Sequence, residues 1–406
     1  MNNFLQHIFE FYENNTVLIL GILVFSVSFI ITYRIIPWII LTVKYKKLMD
    51  IPNGRSSHGA ETPTLGGIAF FASILISMLF IKSYDYSNIS INIISALVVI
   101  FFMGLKDDLM VISAKAKIAL QSLAIIFIIF NSEFYITNFH GFLNIEEIPI
   151  PISILLSYGF LIYFVNAFNL LDGIDGLASM LGIVISVVYL IFFTQLELYF
   201  YAFISIIMVG FLISFLRYNL SSKNKIFMGD TGSLIVGFLI GILTLRFLSL
   251  DVTQLEKINI LPQNLVIVVL SLLFFPILDV IRVSVVRFIN ESKIFTADKR
   301  HMHHIFIDKG LNHFKASLTF TVSSIITFFV VYFTNPLLSG VGLFLVFVVL
   351  VLVTFYIFIL LDKDQKTIYY RKNIKNHIPN SLYKNEFRIR KSIIIFLKRL
   401  FYKDLL

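Results

Sequence analysis

Asn166-Ala167-Phe168-Asn169-Leu170-Leu171-Asp172-Gly173-Ile174-Asp175-Gly176 joins two long apolar runs, Ile152 to Leu170 and Leu177 to Thr194, and packs two amides, two carboxylates and two glycines between them. Polar groups set between membrane-length runs are costly in lipid and mark a site. Gly173 and Gly176 let the backbone reach positive φ and let a ligand come close. Asp172 and Asp175 lie three apart, so one helical turn would put both on one face. Asp175 could instead cap the helix beginning near Leu177. A cap needs one such residue and leaves the other acid and the amides unexplained.

Outward from this stretch the chain is apolar almost throughout. Of its 406 residues 58% are hydrophobic and 14% charged, against about 25% charged in soluble domains. The composition excludes a soluble globular protein and predicts an all-α, polytopic membrane helix bundle. Runs of about 18 or more apolar residues can span a bilayer. Eleven candidates stand out: Thr16 to Leu41, Leu65 to Ile81, Ile89 to Leu105, Ile118 to Ile136, Ile152 to Leu170, Leu177 to Thr194, Tyr199 to Leu216, Ser233 to Leu250, Leu265 to Val283, Ser317 to Thr334 and Val341 to Leu361. No internal repeat is visible. Cysteine is absent, which excludes disulfides, thiolate metal sites and a Cys nucleophile. Met1 to Asn15 lacks the basic start and cleavage site of a signal peptide.

The net charge of +9 is concentrated in a tail: from Asp362 onward there are twelve Lys/Arg against four Asp/Glu, a balance of +8. Such a tail suits anionic lipid headgroups, and it shows no nucleic-acid-binding motif. In the rest of the chain the cations alternate by side. Connections after odd-numbered spans carry Lys44, Lys46, Lys47, Arg55, Lys106, Lys115, Lys117, Lys223, Lys225, Arg287, Lys293, Lys299, Arg300, Lys309 and Lys315, whereas the others carry little beyond Lys82 and Lys257. The positive-inside rule then places the N-terminus outside and the C-terminus in the cytoplasm.

The same alternation sorts the chemistry. Asn53, Arg55 and His58 follow the first span, Asp107 and Asp108 the third, Asp172 and Asp175 the fifth and Asp230 the seventh; Asp279 lies at the inner end of the ninth. Asp107 and Asp108 are adjacent carboxylates at a helix C-terminus, where the macrodipole favours cations. That placement asks for a cation or basic partner; Lys106 and Lys115 salting two solvated acids is the plainer alternative. Phe227-Met228-Gly229-Asp230-Thr231-Gly232-Ser233 sets one acid between glycines and hydroxyls, which suits Mg²⁺, a hard ion of oxygen ligands, or an ordinary N-cap. Asp298-Lys299-Arg300-His301-Met302-His303-His304 could bind zinc, but its two cations fit a pyrophosphate better. Asp279 and Arg282, three apart, also suit a structural ion pair.

These motifs carry a resemblance. Asp50 to Arg55 with His58 and Gly66-Gly67, Lys106 to Asp108, Asn166 to Gly176, Phe227 to Ser233 and His301 to His304 occur in the order found in the polyprenyl-phosphate N-acetylhexosamine-1-phosphate transferases. The chain resembles the undecaprenyl-phosphate N-acetylglucosamine-1-phosphate branch, with the phospho-N-acetylmuramoyl-pentapeptide transferase as its relative. The resemblance implies transfer of a sugar 1-phosphate from a UDP-sugar to undecaprenyl phosphate, with release of UMP and a requirement for Mg²⁺, which Mn²⁺ can replace. It implies Asp230 and Asp172 at the metal. Asp107, Asp108 and Asp172 fall in the catalytic group, with Asp107 deprotonating the lipid phosphate or a covalent nucleophile acting instead. Asp175 would read the uracil, and Asn53, Arg55, His58, Asn166, Asn169, Asp279, Lys299, Arg300, His301, His303 and His304 would bind substrate. Ser56 and Ser221 to Lys225 depart from the pattern.

The resulting expectation is a multi-pass enzyme of the bacterial cytoplasmic membrane, residues 1–361, followed by a basic tail, 362–406. Its catalytic loops, 42–64, 106–117, 169–176, 217–232 and 284–316, face the cytoplasm. The expected partners are a UDP-sugar, undecaprenyl phosphate and anionic lipid, without nucleic acid and with room for a homodimer. Two rivals are a UDP-MurNAc-pentapeptide transferase and a membrane transporter; a transporter would carry charges at mid-span and repeated halves, and this chain has neither.

Overall fold

The computed structural model describes residues 2–50, 61–289, 306–307 and 310–362. Asn53, Arg55, His58, Lys299, Arg300, His301, His303, His304 and the tail beyond Asp362 lie outside them. Among the described residues thirteen α-helices follow in order: α1 (Asn2–Lys46), α2 (Gly67–Ile81), α3 (Ile89–Leu109), α4 (Ala114–Ile129), α5 (Ile150–Leu171), α6 (Leu177–Gln195), α7 (Tyr199–Asn219), α8 (Gly229–Leu248), α9 (Val252–Lys257), α10 (Leu265–Leu272), α11 (Phe274–Ile289), α12 (His313–Thr334) and α13 (Gly340–Asp362). A two-residue antiparallel pair, β1 (Met49–Asp50) and β2 (Thr62–Pro63), is the only sheet among the described residues.

Among the described residues nine helices are long and apolar enough to cross a membrane, or ten if the bent pair α10 and α11 forms one span. The expected count of eleven is therefore not reached, for two reasons. The run from Ile118 to Ile136 yields α4, only 16 residues long, about 24 Å at 1.5 Å per residue. Asn131 ends it by accepting the Glu133 amide in a short 3₁₀ turn. The ninth run breaks at Leu273, where α10 and α11 meet at 70°. Pro276 sits just beyond that break and supplies no N–H to the ladder.

Burial shows what the bundle is built around. The apolar window of α8 is 100% buried, whereas those of α1 and α13 are 17% and 11% buried. α8 is thus the central post, with α2, α3 and α5 packed directly against it. Without a hydrophobic drive between helices in lipid, close approach through small residues holds them together. At the start of α2 a Cβ on Gly67 would run into the backbone of Gly232. Interhelical hydroxyl bonds add specificity: Thr32 meets Ser73 at 2.6 Å between α1 and α2, and Tyr189 meets Thr244 at 2.7 Å between α6 and α8. The outer surface is apolar, with Leu79 at 73% and Leu155 at 67% exposure, as lipid contact requires.

The two ends of the bundle differ. At one end Glu133 accepts from Ser87 and Tyr201 and pairs with Arg246, which ties the connection leading into α3 and the first turn of α7 to the end of α8. At the other lie the last turns of α3, α5 and α7 and the first turns of α4, α6, α8 and α12, and there the acids collect. α4 leads from the acidic end, at Lys117, towards the end where Glu133 lies.

Candidate functional site

The site starts from the first turn of α8, whose backbone amides lack intrahelical acceptors. Asp108, at the end of α3, supplies them from across the helix interface. Its Oδ1 accepts the Asp230 amide at 2.7 Å; its Oδ2 accepts the Thr231 amide at 3.0 Å and the Thr231 hydroxyl at 2.5 Å. Gly229 holds φ +69, and a Cβ there would stand 2.7 Å from the Asp108 carboxylate. Glycine before Asp230 is therefore required by the cap. On the far side, Phe227 donates to Pro63, and Phe227 and Met228 accept from Gly66 and Gly67, which stitches this turn to β2 and α2. Asp108 thus holds the first turn of α8, and with it Asp230, while its carboxylate also borders the cavity.

Asp107, one residue earlier, points elsewhere. Its Oδ1 accepts the Ile112 amide at 2.8 Å and its Oδ2 pairs with the Lys117 ammonium. The same ammonium lies 2.6 Å from Asp230 Oδ2. Asp230 Oδ1 accepts the Asn169 amide at 2.9 Å, and that amide also donates to Ser233 at 2.8 Å. One cation thus bridges two acids brought from helices far apart in sequence. The cation is Lys117, neither of the two lysines, Lys106 and Lys115, named in the plainer alternative. Asp172, just past the end of α5, accepts no hydrogen bond from any described residue, and burial, with the nearby charges of Asp230, Asp175 and Asp108, pushes its carboxyl up to about 8.

Asp175 is held quite differently. Its Oδ2 lies 2.6 Å from the Lys225 ammonium and 2.9 Å from His313 Nδ1. Burial alone would raise this carboxyl, but the bonds from His313 and Lys225 outweigh it and hold it below the usual range. Ser317 donates to the Asp175 carbonyl at 2.8 Å, so the start of α12 grips this loop at two points. Asn219, ending α7, accepts the Gly176 amide at 2.6 Å and donates to the Ile226 carbonyl. That one amide fixes the 172–176 loop and the approach to α8 relative to each other.

Asp107, Asp108, Asn169, Asp172, Asp175 and Asp230 line a single cavity of about 830 Å³, shared with Lys117, His313, Asn219 and Phe227. Its volume is that of a site for a small organic ligand. Two predicted residues are elsewhere. Asn166 is locked in a reciprocal amide pair with Gln121 of α4, at 2.8 and 3.2 Å, and bonds the Ile162 carbonyl; it joins α4 to α5 and does not line the cavity. Asp279 is buried at 3% exposure within α11, and it too is absent from the lining. Sequence reading missed Lys117, Lys225, His313 and Asn219 as site residues. The two lysines were visible only as part of the basic inventory of one face, and neither His313 nor Asn219 sits in a motif.

The donors suit a hard cation in chemistry: carboxylates and amide oxygens, no thiolates. Among the described residues no three His, Cys, Asp or Glu side chains already stand together as a ligand set. Mg²⁺ takes one or two carboxylates and completes its octahedron with water and substrate phosphates, so the acids that line the cavity are enough to hold it.

The fold and cavity define a multi-pass membrane protein whose acids and amides, delivered by five helix ends, converge at one end of the bundle. Comparison with known proteins narrows this. The model of glycosyl transferase family 4 matches residues 90–248. The chain is 29% identical over 274 residues to the probable undecaprenyl-phosphate N-acetylglucosaminyl 1-phosphate transferase of Bacillus subtilis, covering 65% of this chain and 71% of that protein. It is 33% identical over 264 residues to the phospho-N-acetylmuramoyl-pentapeptide-transferase of Staphylococcus haemolyticus, covering 60% and 79%. With the undecaprenyl-phosphate alpha-N-acetylglucosaminyl 1-phosphate transferase of Escherichia coli O157:H7 it shares 27% over 286 residues, covering 68% and 74%. The chain belongs to glycosyl transferase family 4, the family of the polyprenyl-phosphate N-acetylhexosamine-1-phosphate transferases.

Proposed function

We propose that this protein transfers N-acetylglucosamine 1-phosphate from its UDP-sugar to undecaprenyl phosphate at the cytoplasmic face of a bacterial inner membrane. A lipid-phosphate oxygen bonds to the β-phosphorus of the donor, the bond from that phosphorus to the bridging oxygen breaks, and UMP leaves. The observation that carries the reading is the convergence of Asp107, Asp172 and Asp230 on one cavity at the helix ends. Asp230 and Asp172 would hold Mg²⁺, which when bound neutralises the diphosphate charge. Asp107 takes the proton of the lipid phosphate. Asp175, oriented by Lys225 and His313, reads the base, and Asn169 orients Asp230. The basic tail, 362–406, lies on anionic headgroups and keeps the catalytic end at the lipid surface.

A second donor has support of its own, because the Staphylococcus haemolyticus relative is a phospho-N-acetylmuramoyl-pentapeptide-transferase. Detergent-purified protein incubated with undecaprenyl phosphate and a panel of UDP-sugars separates the two. UMP and lipid-linked sugar should form with UDP-N-acetylglucosamine and stop on chelation. Product from UDP-MurNAc-pentapeptide alone would move the protein to the other branch, and no UMP from any donor would end the proposal.

A further inference from the structure

Asp230, one of the two acids that would hold the metal, already holds a cation belonging to the chain. Lys117 Nζ lies 2.6 Å from Asp230 Oδ2 and closer still to Asp107 Oδ2. The other oxygen of each acid is committed, Asp107 Oδ1 to the Ile112 amide and Asp230 Oδ1 to Asn169. Asp230 Oδ2, the oxygen of that acid with no amide donor, is the one that Lys117 occupies. Lys117 is mostly buried, at 21% exposure, on the first turn of α4, which Ser113 caps by accepting the Ala116 amide. The neighbouring Lys115 is exposed and makes no such contact. An ammonium and a dication repel strongly at contact distance, so a divalent ion at Asp230 Oδ2 displaces the ammonium.

We propose that Lys117 is a tethered counter-cation that fills the place of the divalent ion at Asp230, so that metal entry must displace it and the arriving diphosphate receives the freed ammonium. This rests on the phosphoglycosyl-transfer reading above. Lysine binds phosphate well as a flexible point charge, and the displaced side chain stays within the same cavity. Asp172, with no hydrogen-bond partner among the described residues, remains open as an oxygen ligand for the incoming ion. Metal and nucleotide then bind cooperatively: neither alone both removes Lys117 from the acids and gives it a new partner. Lys117 acts on the metal and the diphosphate, and no covalent step is assigned to it.

The test is Mn²⁺ binding to the full-length detergent-purified protein, followed by the electron paramagnetic resonance signal of free Mn²⁺. It is run with and without UDP and corrected for the Mn–UDP complex in solution. Wild type, Lys117→Met, Lys117→Arg and Asp230→Asn are compared. Wild type should bind Mn²⁺ weakly alone and about tenfold or more tightly with UDP present. Lys117→Met should bind Mn²⁺ alone about tenfold tighter than wild type, with the UDP enhancement largely lost. Lys117→Arg, which keeps the charge, should resemble wild type. Lys117→Gln, whose amide donates to both acids without a charge, replaces the Met variant if that one does not fold. Equal Mn²⁺ affinity in wild type and the neutral variants, with binding still abolished by Asp230→Asn, would overturn the counter-cation and leave the metal site standing. Mn²⁺ binding that ignores Asp230→Asn would overturn both.

Discussion

Replacing Asp108 by Ala removes the acceptor for three donors on the first turn of α8: the Asp230 amide at 2.7 Å, the Thr231 amide at 3.0 Å and the Thr231 hydroxyl at 2.5 Å. Thr231 is fully buried, so water cannot easily take over. Hydrogen bonds to a charged group contribute roughly 1.5–3 kcal/mol each, and a simple sum would overshoot because the three share one carboxylate. Leaving buried donors without an acceptor costs about 1–3 kcal/mol each, and a loss of about 3–5 kcal/mol in all is expected for Asp108→Ala. Asp108→Asn keeps one acceptor oxygen for α8 and should lose about half as much. The assay is reversible unfolding of the detergent-purified protein, read by loss of helical circular dichroism in denaturant. Turnover is measured alongside, because a loosened cap moves the Asp230 backbone and should lower activity in step with stability. An Asp108→Ala protein as stable as wild type would refute the cap, and with it the claim that Asp108 serves the site by holding α8.

Other perturbations test neighbouring joints. Gly104→Ala would set a Cβ 2.5 Å from Thr231 Cα; forcing α3 off α8 should cost about 1–3 kcal/mol and reduce turnover without preventing membrane insertion. For Asp175, Lys225 and His313 hold the carboxyl low, so the stability it contributes is complete above about pH 4 and is lost as the pH falls below that. Lys225→Met should lower stability at neutral pH and shrink that acid-side loss, seen as a flatter melting temperature against pH. A double-mutant cycle on Asn166→Ala and Gln121→Ala should give a coupling of about 0.5–3 kcal/mol in stability, as expected for a reciprocal amide pair; no coupling would return Asn166 to the substrate.

How much of this was legible in the sequence depended on the range of each interaction. The apolar runs gave helices wherever they were uninterrupted, and Gly176, with φ +84 at the start of α6, occupies the turn its sequence position suggested. Asp107, Asp172, Asp175 and Asp230 could be placed on one end of the bundle because alternation of spans is a local count. Partners could not be assigned that way. Lys117 bonds Asp230 across 113 positions and His313 bonds Asp175 across 138, and no periodicity records such pairings. An amide beside a functional stretch looks the same in sequence whether it faces the cavity or, like Asn166, pairs with Gln121. The break between α10 and α11 was hidden for a related reason: Leu273 is as apolar as its neighbours, so hydropathy runs through a 70° bend unchanged.

The central claim is that Asp107 and Asp230, bridged by one cation in this structure, work as one unit in sugar-phosphate transfer. Turnover of UDP-N-acetylglucosamine and undecaprenyl phosphate by Asp107→Asn, Asp230→Asn and the double variant, all confirmed as folded in membranes, tests it most directly. Each single variant should lose about a thousandfold or more, and the double variant should be scarcely worse than the weaker single one, as residues acting together are non-additive. Near-normal turnover by Asp230→Asn, or losses that simply multiply in the double variant, would contradict it.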